Sequence, residues 1–246
     1  TLFQLYQTLK QLRAKRHAME FETVETYMTF DELGGIKEIL PRTRNDAHKL
    51  IEECMLLANV AAAEYSLEHD IPMLYRVHEA PEFSRIQKVR DFVKLLGLPF
   101  PEQPTQADYQ RVIEATKDRL DAPSIHAVLL RSMMQAYYGA NNAGHYGLAY
   151  EAYTHFTSPI RRYPDLLLHR AIKAYLDKKA YPLSGAALDD AGEHFSQTER
   201  RADEASRSVT TWLKCHYMQQ HLGDEFVGII SAVTEFGLFV TLKDLY

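Results

Sequence analysis

Cysteine is nearly absent: Cys54 and Cys215 are the only two among 246 residues. Two cysteines so far apart make no disulfide framework and lack the spacing of a metal site. They fit a reducing compartment, so a cytoplasmic location is expected. Glycine (11) and proline (10) are also sparse, which excludes collagen-like and low-complexity architectures. No apolar run is long enough to cross a bilayer, and the most apolar stretch, 56–63, is broken by Asn59. No signal-peptide pattern opens the chain; Thr1 is not a natural start, so the native N-terminus is expected upstream. Positive charge is not in excess: 28 Lys and Arg face 33 Asp and Glu, a net charge of −5. This argues against a protein coated in positive charge for duplex DNA, while a locally basic channel stays compatible with it.

The remaining composition is that of a globular protein, 46% hydrophobic and 25% charged, long enough for one or two domains around a large core. Residues 2–16 predict a helix with Leu2, Leu5, Tyr6, Leu9 and Leu12 on one face. Residues 19–30 and 36–40 predict a β-hairpin across the turn 31–35. The alternation slips between Phe21 and Phe30, which points to a bulge or to a strand buried on both faces. Asn45 or Asp46 can cap a long, central helix running to about His69, with Ala47, Leu50, Ile51, Cys54, Met55, Ala58, Ala61, Ala62 and Tyr65 as its inner stripe. Glu52 lies beside that stripe; its bland reading is a solvated flank paired with Lys49 or His48. Further helices are predicted over 81–96, 107–117, 124–138, 164–178 and 186–221. Gly223 marks a boundary, after which 226–234 and 236–242 read as the opening hairpin of a small β domain, too few strands to stand alone.

The most informative stretch runs from Gly144 to Asp165 and packs aromatic rings, hydroxyls and two adjacent arginines around a helix start. Ser158 is a good N-cap and Pro159 suits a first helical position, while Pro164 demands a restart of the helix. Arg161 and Arg162 then lie close to a helix N-terminus, where the dipole favours anions. A bound phosphate explains that placement; pairing with nearby acids is the alternative. Asp165 and His169 sit one turn apart, a spacing that allows them to bond each other.

Several segments together resemble one family. Arg44–Asn59 is similar to a central helix, Tyr75–Pro81 to the short segment after it, 144–170 to a signature motif and Glu199–Ala205 to a last long helix. In this order they resemble the RNB family of processive exoribonucleases, the ribonuclease II and ribonuclease R group, nearest its ribonuclease R branch. The resemblance implies an α+β fold. Residues 1–222 would be the helix-rich C-terminal portion of the RNB catalytic domain, with its short hairpin. Residues 223–246 would be the truncated start of an OB-fold RNA-binding domain.

The activity implied is hydrolysis of single-stranded RNA from its 3′ end to nucleoside monophosphates, dependent on Mg²⁺. The resemblance places Arg161 on the scissile phosphate as the catalytic arginine. It makes Phe21 a ring that stacks on a terminal base and sets Glu52 near the 3′ nucleotide. Tyr153, His155, Ser158 and Arg162 flank Arg161 and are candidates for the RNA path. Phe236 and Phe239 resemble aromatics exposed on the nucleic-acid face of such OB domains, and ordinary β-core packing is the alternative for Phe239.

The family's metal-binding aspartate cluster has no counterpart in residues 1–246; Asp189-Asp190 reads as a solvated helix cap. The Mg²⁺ ligands are therefore expected upstream, and no metal ligand is assigned here. Ser206 stands where ribonuclease II carries a glutamate, and takes no role. The chain is thus expected to be a fragment, inactive alone, of an enzyme whose partner is the 3′ end of single-stranded RNA. No membrane partner is expected, and the parent is expected to be a monomer. The alternative is a non-catalytic RNA-binding or protein-docking module.

Overall fold

The computed structural model describes residues 1–21 and 25–242, and of Ala232 the backbone alone. Helix α1, Leu2–Lys15, starts from a Thr1–Gln4 capping box. Of its predicted apolar face only Tyr6 is buried, while Leu2, Leu5 and Leu12 are exposed. The helix instead engages α2 (Asp46–Glu68) with Arg13, whose Nη1 donates to Glu53 Oε1 at 2.8 Å. Strands β1 (Thr26–Phe30) and β2 (Ile36–Pro41) pair antiparallel with a register slip between Thr29 and Phe30, the irregularity expected from the broken alternation. The turn between them is held by Asp31 Oδ1, which accepts from the amides of Leu33 and Gly35 at 2.9 and 2.7 Å. The strand begins later than predicted. Met19 belongs to the core, its amide bonded to the Gly147 carbonyl at 3.0 Å; the rest of the early strand reading, 22–24, lies outside the described residues.

Helix α2 is capped by Asn45 Oδ1 on the His48 amide at 3.1 Å, as predicted. Its buried face differs from the predicted stripe: Glu53, Asn59, Ala62, Ala63 and Ser66 point inward, and Ile51 is 58% exposed. The small side chains allow close approach of neighbouring backbone, and Glu53 and Asn59 turn inward onto partners, Arg13 and the Tyr153 hydroxyl.

Helices α3 (Phe83–Leu95), α4 (Gln106–Thr116) and α5 (Ala122–Ser132) enclose one hydrophobic cluster with Val89, Val93, Tyr109, Val112, Ile125 and Leu129 at its centre. Helix α5 stops before the predicted Tyr138. Ser132 Oγ turns back onto the Leu129 carbonyl at 2.6 Å, and Tyr137–Gly139 becomes strand β4 against β3 (Tyr75–Val77). A pairing partner distant in sequence overrides the local helical pattern there.

Helix α6 spans Tyr163–Leu176, and α7 spans Ala186–Met218, followed by a 3₁₀ turn at Gln219–His221. Only the first part of α7 is docked. Leu188 joins Leu74 and Tyr138 in a small cluster, and Ser196 Oγ accepts from the Tyr138 amide at 2.9 Å. Residues 200–212 are exposed. Strands β5 (Gly228–Thr234) and β6 (Gly237–Leu242) form the predicted C-terminal hairpin. The architecture is α+β: among the described residues, helices and three antiparallel strand pairs.

Candidate nucleic-acid interface

One buried amide organises the central loop. Asn59 Nδ2 donates to the Tyr153 hydroxyl at 2.9 Å, and its Oδ1 accepts from the amides of Phe156 and Thr157 at 2.9 and 3.2 Å. Three bonds therefore tie 153–157 to the middle of α2. The other end is held by strand β3, where the Arg76 amide donates to the Tyr153 carbonyl at 2.8 Å. His169 closes the loop from α6: its Nε2 bonds the Phe156 carbonyl at 2.8 Å and its ring stacks on Phe156 at 4.0 Å. The Asp165–His169 bond that their spacing allows does not form, because both side chains face loop backbone instead, at Ser158 and Phe156.

The second anchor is Asp165, which is fully buried. Its Oδ1 accepts from the Ser158 amide at 2.8 Å and from Arg162 Nη2 at 2.9 Å. Ser158 is thus not the helix N-cap that its sequence context suggests. Its carbonyl accepts from the amides of Arg161 and Arg162 at 3.3 and 3.0 Å, closing one turn. The helix proper starts at Tyr163 with Arg162 as N-cap and Pro164 in its first turn. Pro164 has no amide hydrogen, so it suits a first turn and forbids a continuous helix from Pro159.

The two arginines consequently part company. Arg162 is folded inward onto Asp165, with its side chain 18% exposed. Arg161 is exposed, and among the described residues its guanidinium has no hydrogen-bond or ion-pair partner. The pairing alternative thus holds for Arg162 and not for Arg161.

Arg162 and Tyr153 line a cavity of about 460 Å³ against α2, together with His48, Glu52, Met55 and Asn59. Glu52 is half-exposed and pairs with Arg44, not with Lys49 or His48. Behind Tyr153 lies a packed aromatic group. Tyr150 stacks on Tyr153 at 5.8 Å, and His145 and His155 meet Tyr153 edge-on at 5.2 and 5.8 Å. Tyr138 OH and His155 Nδ1 are hydrogen-bonded at 2.9 Å. Arg76 lies over the Tyr138 ring at 4.6 Å and reaches Glu199 at 2.6 Å.

Burial pushes the His155 imidazole down to about 2, helped by the positive fields of Arg162, Arg76 and Arg161. Burial pushes His145 down to about 3, with His78 and Arg76 adding to it. Burial also pushes the Tyr138 phenol up to about 12. With both imidazoles neutral, and Arg162 and Arg76 paired with Asp165 and Glu199, Arg161 is the uncompensated cation of this group among the described residues, and it suits an anionic ligand.

The other predicted residues are spread out. Phe21 is half-buried and packs on the α3–α5 cluster, in a separate cavity. Phe236 and Phe239 lie on the C-terminal hairpin, 83% and 51% exposed, with their rings 5.9 Å apart. For a divalent metal the residues present do not fit. Mg²⁺ takes six oxygens, several from clustered acids or water. Among the described residues no three His, Cys, Asp or Glu side chains form a metal-binding group, and the buried acids Asp165 and Glu53 are paired with Arg162 and Arg13.

Sequence reasoning missed Asn59, Tyr138 and Arg76. Asn59 did leave a signal, as the polar break in the most apolar stretch. A buried amide in such a place must find partners, and here they come from the loop 94 to 98 residues away. Tyr138 and Arg76 left none, because they meet through a three-residue strand pair.

Known proteins resemble this chain in sequence and in fold. The RNB domain matches residues 1–178. Ribonuclease R of Vibrio parahaemolyticus is 50% identical over 100% of this chain, which spans 31% of that protein. Ribonuclease R of Escherichia coli is 45% identical, again over 100% of this chain and 32% of its own length. The chain thus spans about a third of the length of these relatives. Among solved structures, Mycoplasma genitalium RNase R in complex with ribose-methylated single-stranded RNA superposes with a TM-score of 0.92 at 27% identity, covering 99% of this chain and 39% of that one. Yeast Ssd1, a pseudonuclease, superposes over 62% of this chain and 20% of its own with a TM-score of 0.56, at 27% identity. A match over most of the chain, with whole-chain relatives at this identity, leads to one conclusion: the chain belongs to the RNB family.

Proposed function

We propose that this chain forms one wall of the RNA channel in a hydrolytic exoribonuclease that removes nucleotides processively from the 3′ end of single-stranded RNA. The observation that carries the reading is the divergence of the two arginines. Arg162 is locked on buried Asp165, and the turn so fixed presents Arg161 unpaired at a helix N-terminus. A guanidinium held there can stabilise charge developing on a phosphoryl oxygen, and its planar fork suits two of those oxygens at once. Glu52, Tyr153 and Arg162 line the cavity that would take the 3′ nucleotide, with His155 and Ser158 shaping its wall. Phe21 offers a stacking face, and Phe236 and Phe239 an exposed aromatic pair for the RNA farther along. The C-terminal hairpin reads as the first strands of an OB domain from residue 223. Support comes also from ribonuclease R relatives and from the likeness to an RNase R structure with single-stranded RNA. Divalent-metal chemistry of the kind implied by the family resemblance would draw its acids from outside the residues described here, so no step is derived through a metal.

In the full-length protein, Arg161→Ala should slow Mg²⁺-dependent release of nucleotides at least tenfold, about 1.4 kcal/mol of transition-state stabilisation. Arg161→Lys should recover part of that, since it keeps the charge and loses the fork. Wild-type rates in Arg161→Ala would overturn the assignment. A second reading, a non-catalytic RNA-binding module, is favoured by the likeness to the pseudonuclease Ssd1. Under it the full-length protein binds a single-stranded oligoribonucleotide and releases no nucleotide from it.

A further inference from the structure

Tyr138 has little freedom in strand β4. It is buried, its amide donates to Ser196 Oγ on α7 at 2.9 Å, and Arg76 lies over its ring at 4.6 Å. Its hydroxyl makes one hydrogen bond among the described residues, with His155 Nδ1 at 2.9 Å. A buried phenol needs an acceptor for its proton. Burial also keeps that proton in place, pushing the phenol up to about 12. Among the described residues the imidazole nitrogen is the one acceptor at hand, so the hydroxyl donates and Nδ1 accepts. A neutral imidazole that accepts at Nδ1 carries its own proton on Nε2.

That Nε2–H has no hydrogen-bond partner among the described residues, and His155 is half-buried. The backbone on both sides of His155 is pinned: Thr154 Oγ1 donates to the Leu74 carbonyl at 2.6 Å, and the Phe156 amide donates to Asn59 Oδ1 at 2.9 Å. The ring meets Tyr153 edge-on at 5.8 Å, and Tyr153 lines the Glu52 cavity. The charged groups whose fields reach the imidazole are cations, Arg161 and Arg162 from the turn at 158–162 and Arg76 from β3. Glu199 of α7 is already paired with Arg76, and His145 is neutral. A rigid, unpartnered N–H in such surroundings is a donor for an anion. The other tautomer would turn a lone pair toward that anion and repel it. The Tyr138 hydroxyl thus decides whether His155 attracts or repels a phosphate.

We propose that Tyr138 is a positioning residue: its hydroxyl holds His155 in the Nε2–H tautomer, so that His155 donates to a phosphate oxygen of the strand that Arg161 engages. The inference rests on the channel reading above for its ligand. It adds to that reading a residue that touches no RNA and acts through the proton it places.

The test is equilibrium binding of an uncleavable single-stranded oligoribonucleotide to the full-length protein and its variants. The amide nitrogen of a glutamine reaches where Nε2 stands, and that of an asparagine only where Nδ1 stands. His155→Gln should therefore bind about fivefold or more tightly than His155→Ala, the worth of one hydrogen bond to a charged group. His155→Asn should match His155→Ala within about twofold. A merely structural Tyr138–His155 bond predicts the opposite order, with Asn better than Gln. Tyr138→Phe should weaken binding about fivefold when His155 is present. In the His155→Gln background it should change binding by less than about twofold, because an amide needs no tautomer fixed. Two outcomes overturn the proposal: His155→Gln binding no more tightly than His155→Ala, or Tyr138→Phe costing the same in both backgrounds. The series at 155 leaves the Tyr138 ring in place, so it decides the matter even if Tyr138→Phe does not fold. A wild-type protein that fails to bind the oligoribonucleotide overturns the channel reading and this inference together. Binding by wild type with Gln and Ala equal at 155 overturns this inference alone.

Discussion

Removing the Asp165 carboxylate tests whether the Ser158–Arg162 turn is held in place by one buried acid. Asp165→Ala takes away the acceptor of the Ser158 amide and the partner of Arg162 together. Breaking a buried ion pair from one side costs about 3–5 kcal/mol, because the surviving charge is left unpaired. Arg162 keeps 18% of its side-chain exposure, so water recovers part of that loss. The orphaned Ser158 amide adds about 1 kcal/mol. The net expectation is a loss of about 3 kcal/mol for Asp165→Ala. Asp165→Asn retains one oxygen for the Ser158 amide and loses only the charge, so about half that is expected.

The effect should be read locally, by native-state hydrogen exchange at the Ser158, Arg161 and Arg162 amides, since all three are donors within this turn. Protection should fall at all three, and nucleotide release by the full-length protein should fall with it, because Arg161 loses its fixed backbone. A double-mutant cycle with Arg162→Met should return much of the lost stability, since no buried cation then remains. Exchange within about 0.5 kcal/mol of wild type in Asp165→Ala would refute the reasoning. So would equal effects of the Ala and Asn substitutions.

Two further predictions follow from packing and from protonation. Gly192→Ala puts a Cβ 2.7 Å from the Tyr138 carbonyl oxygen and 3.0 Å from Leu74; a backbone atom cannot yield cheaply, so unfolding midpoints should drop by the equivalent of about 1–3 kcal/mol. His145 and His155 are folded with pKa values near 3 and 2, below the ordinary value of about 6.5. The unfolded chain therefore binds more protons between those limits, so stability is full above pH about 6.5 and declines as pH falls toward the folded values, by up to about 1.4 kcal/mol per pH unit for each histidine. Thermal unfolding across pH 4–8 measures this slope, His155→Gln should flatten it, and an unchanged slope would show that His155 is not buried neutral.

Much was legible before folding, and the failures have identifiable causes. The termini of α2 were readable because Asn45 and its neighbours carry a cap whose chemistry is local. The hairpin irregularity was legible because side-chain alternation has period two; the sequence left a bulge and burial on both faces open, and the register shift at Thr29/Phe30 is of the first kind. The buried face of α2 was misread, since periodicity weighs hydrophobicity and the inward residues are Glu53 and Asn59, whose partners Arg13, Tyr153 and the 156–157 amides come from distant parts of the chain. Ser158 was misread as a cap for the same reason. Its local context is that of a cap, and the competing acceptor of its amide, Asp165, reaches it only after Pro164 has delayed the helix.

The sequence by itself determined most of the helices, the two hairpins and the family: caps, prolines and periodicities act over a few residues, and a motif such as 158–165 is read in one dimension. It also supplied the candidates, Arg161 and Arg162 among them, without a way to tell the two adjacent cations apart. Only the tertiary structure decided that Arg162 is spent on a buried carboxylate while Arg161 projects unpaired. That distinction arises when α6 brings Asp165 under the turn, and when β3, β4 and α2 pack the rings that keep two histidines neutral. Burial and charge pairing are properties of neighbours in space, so they exist only once the chain has folded.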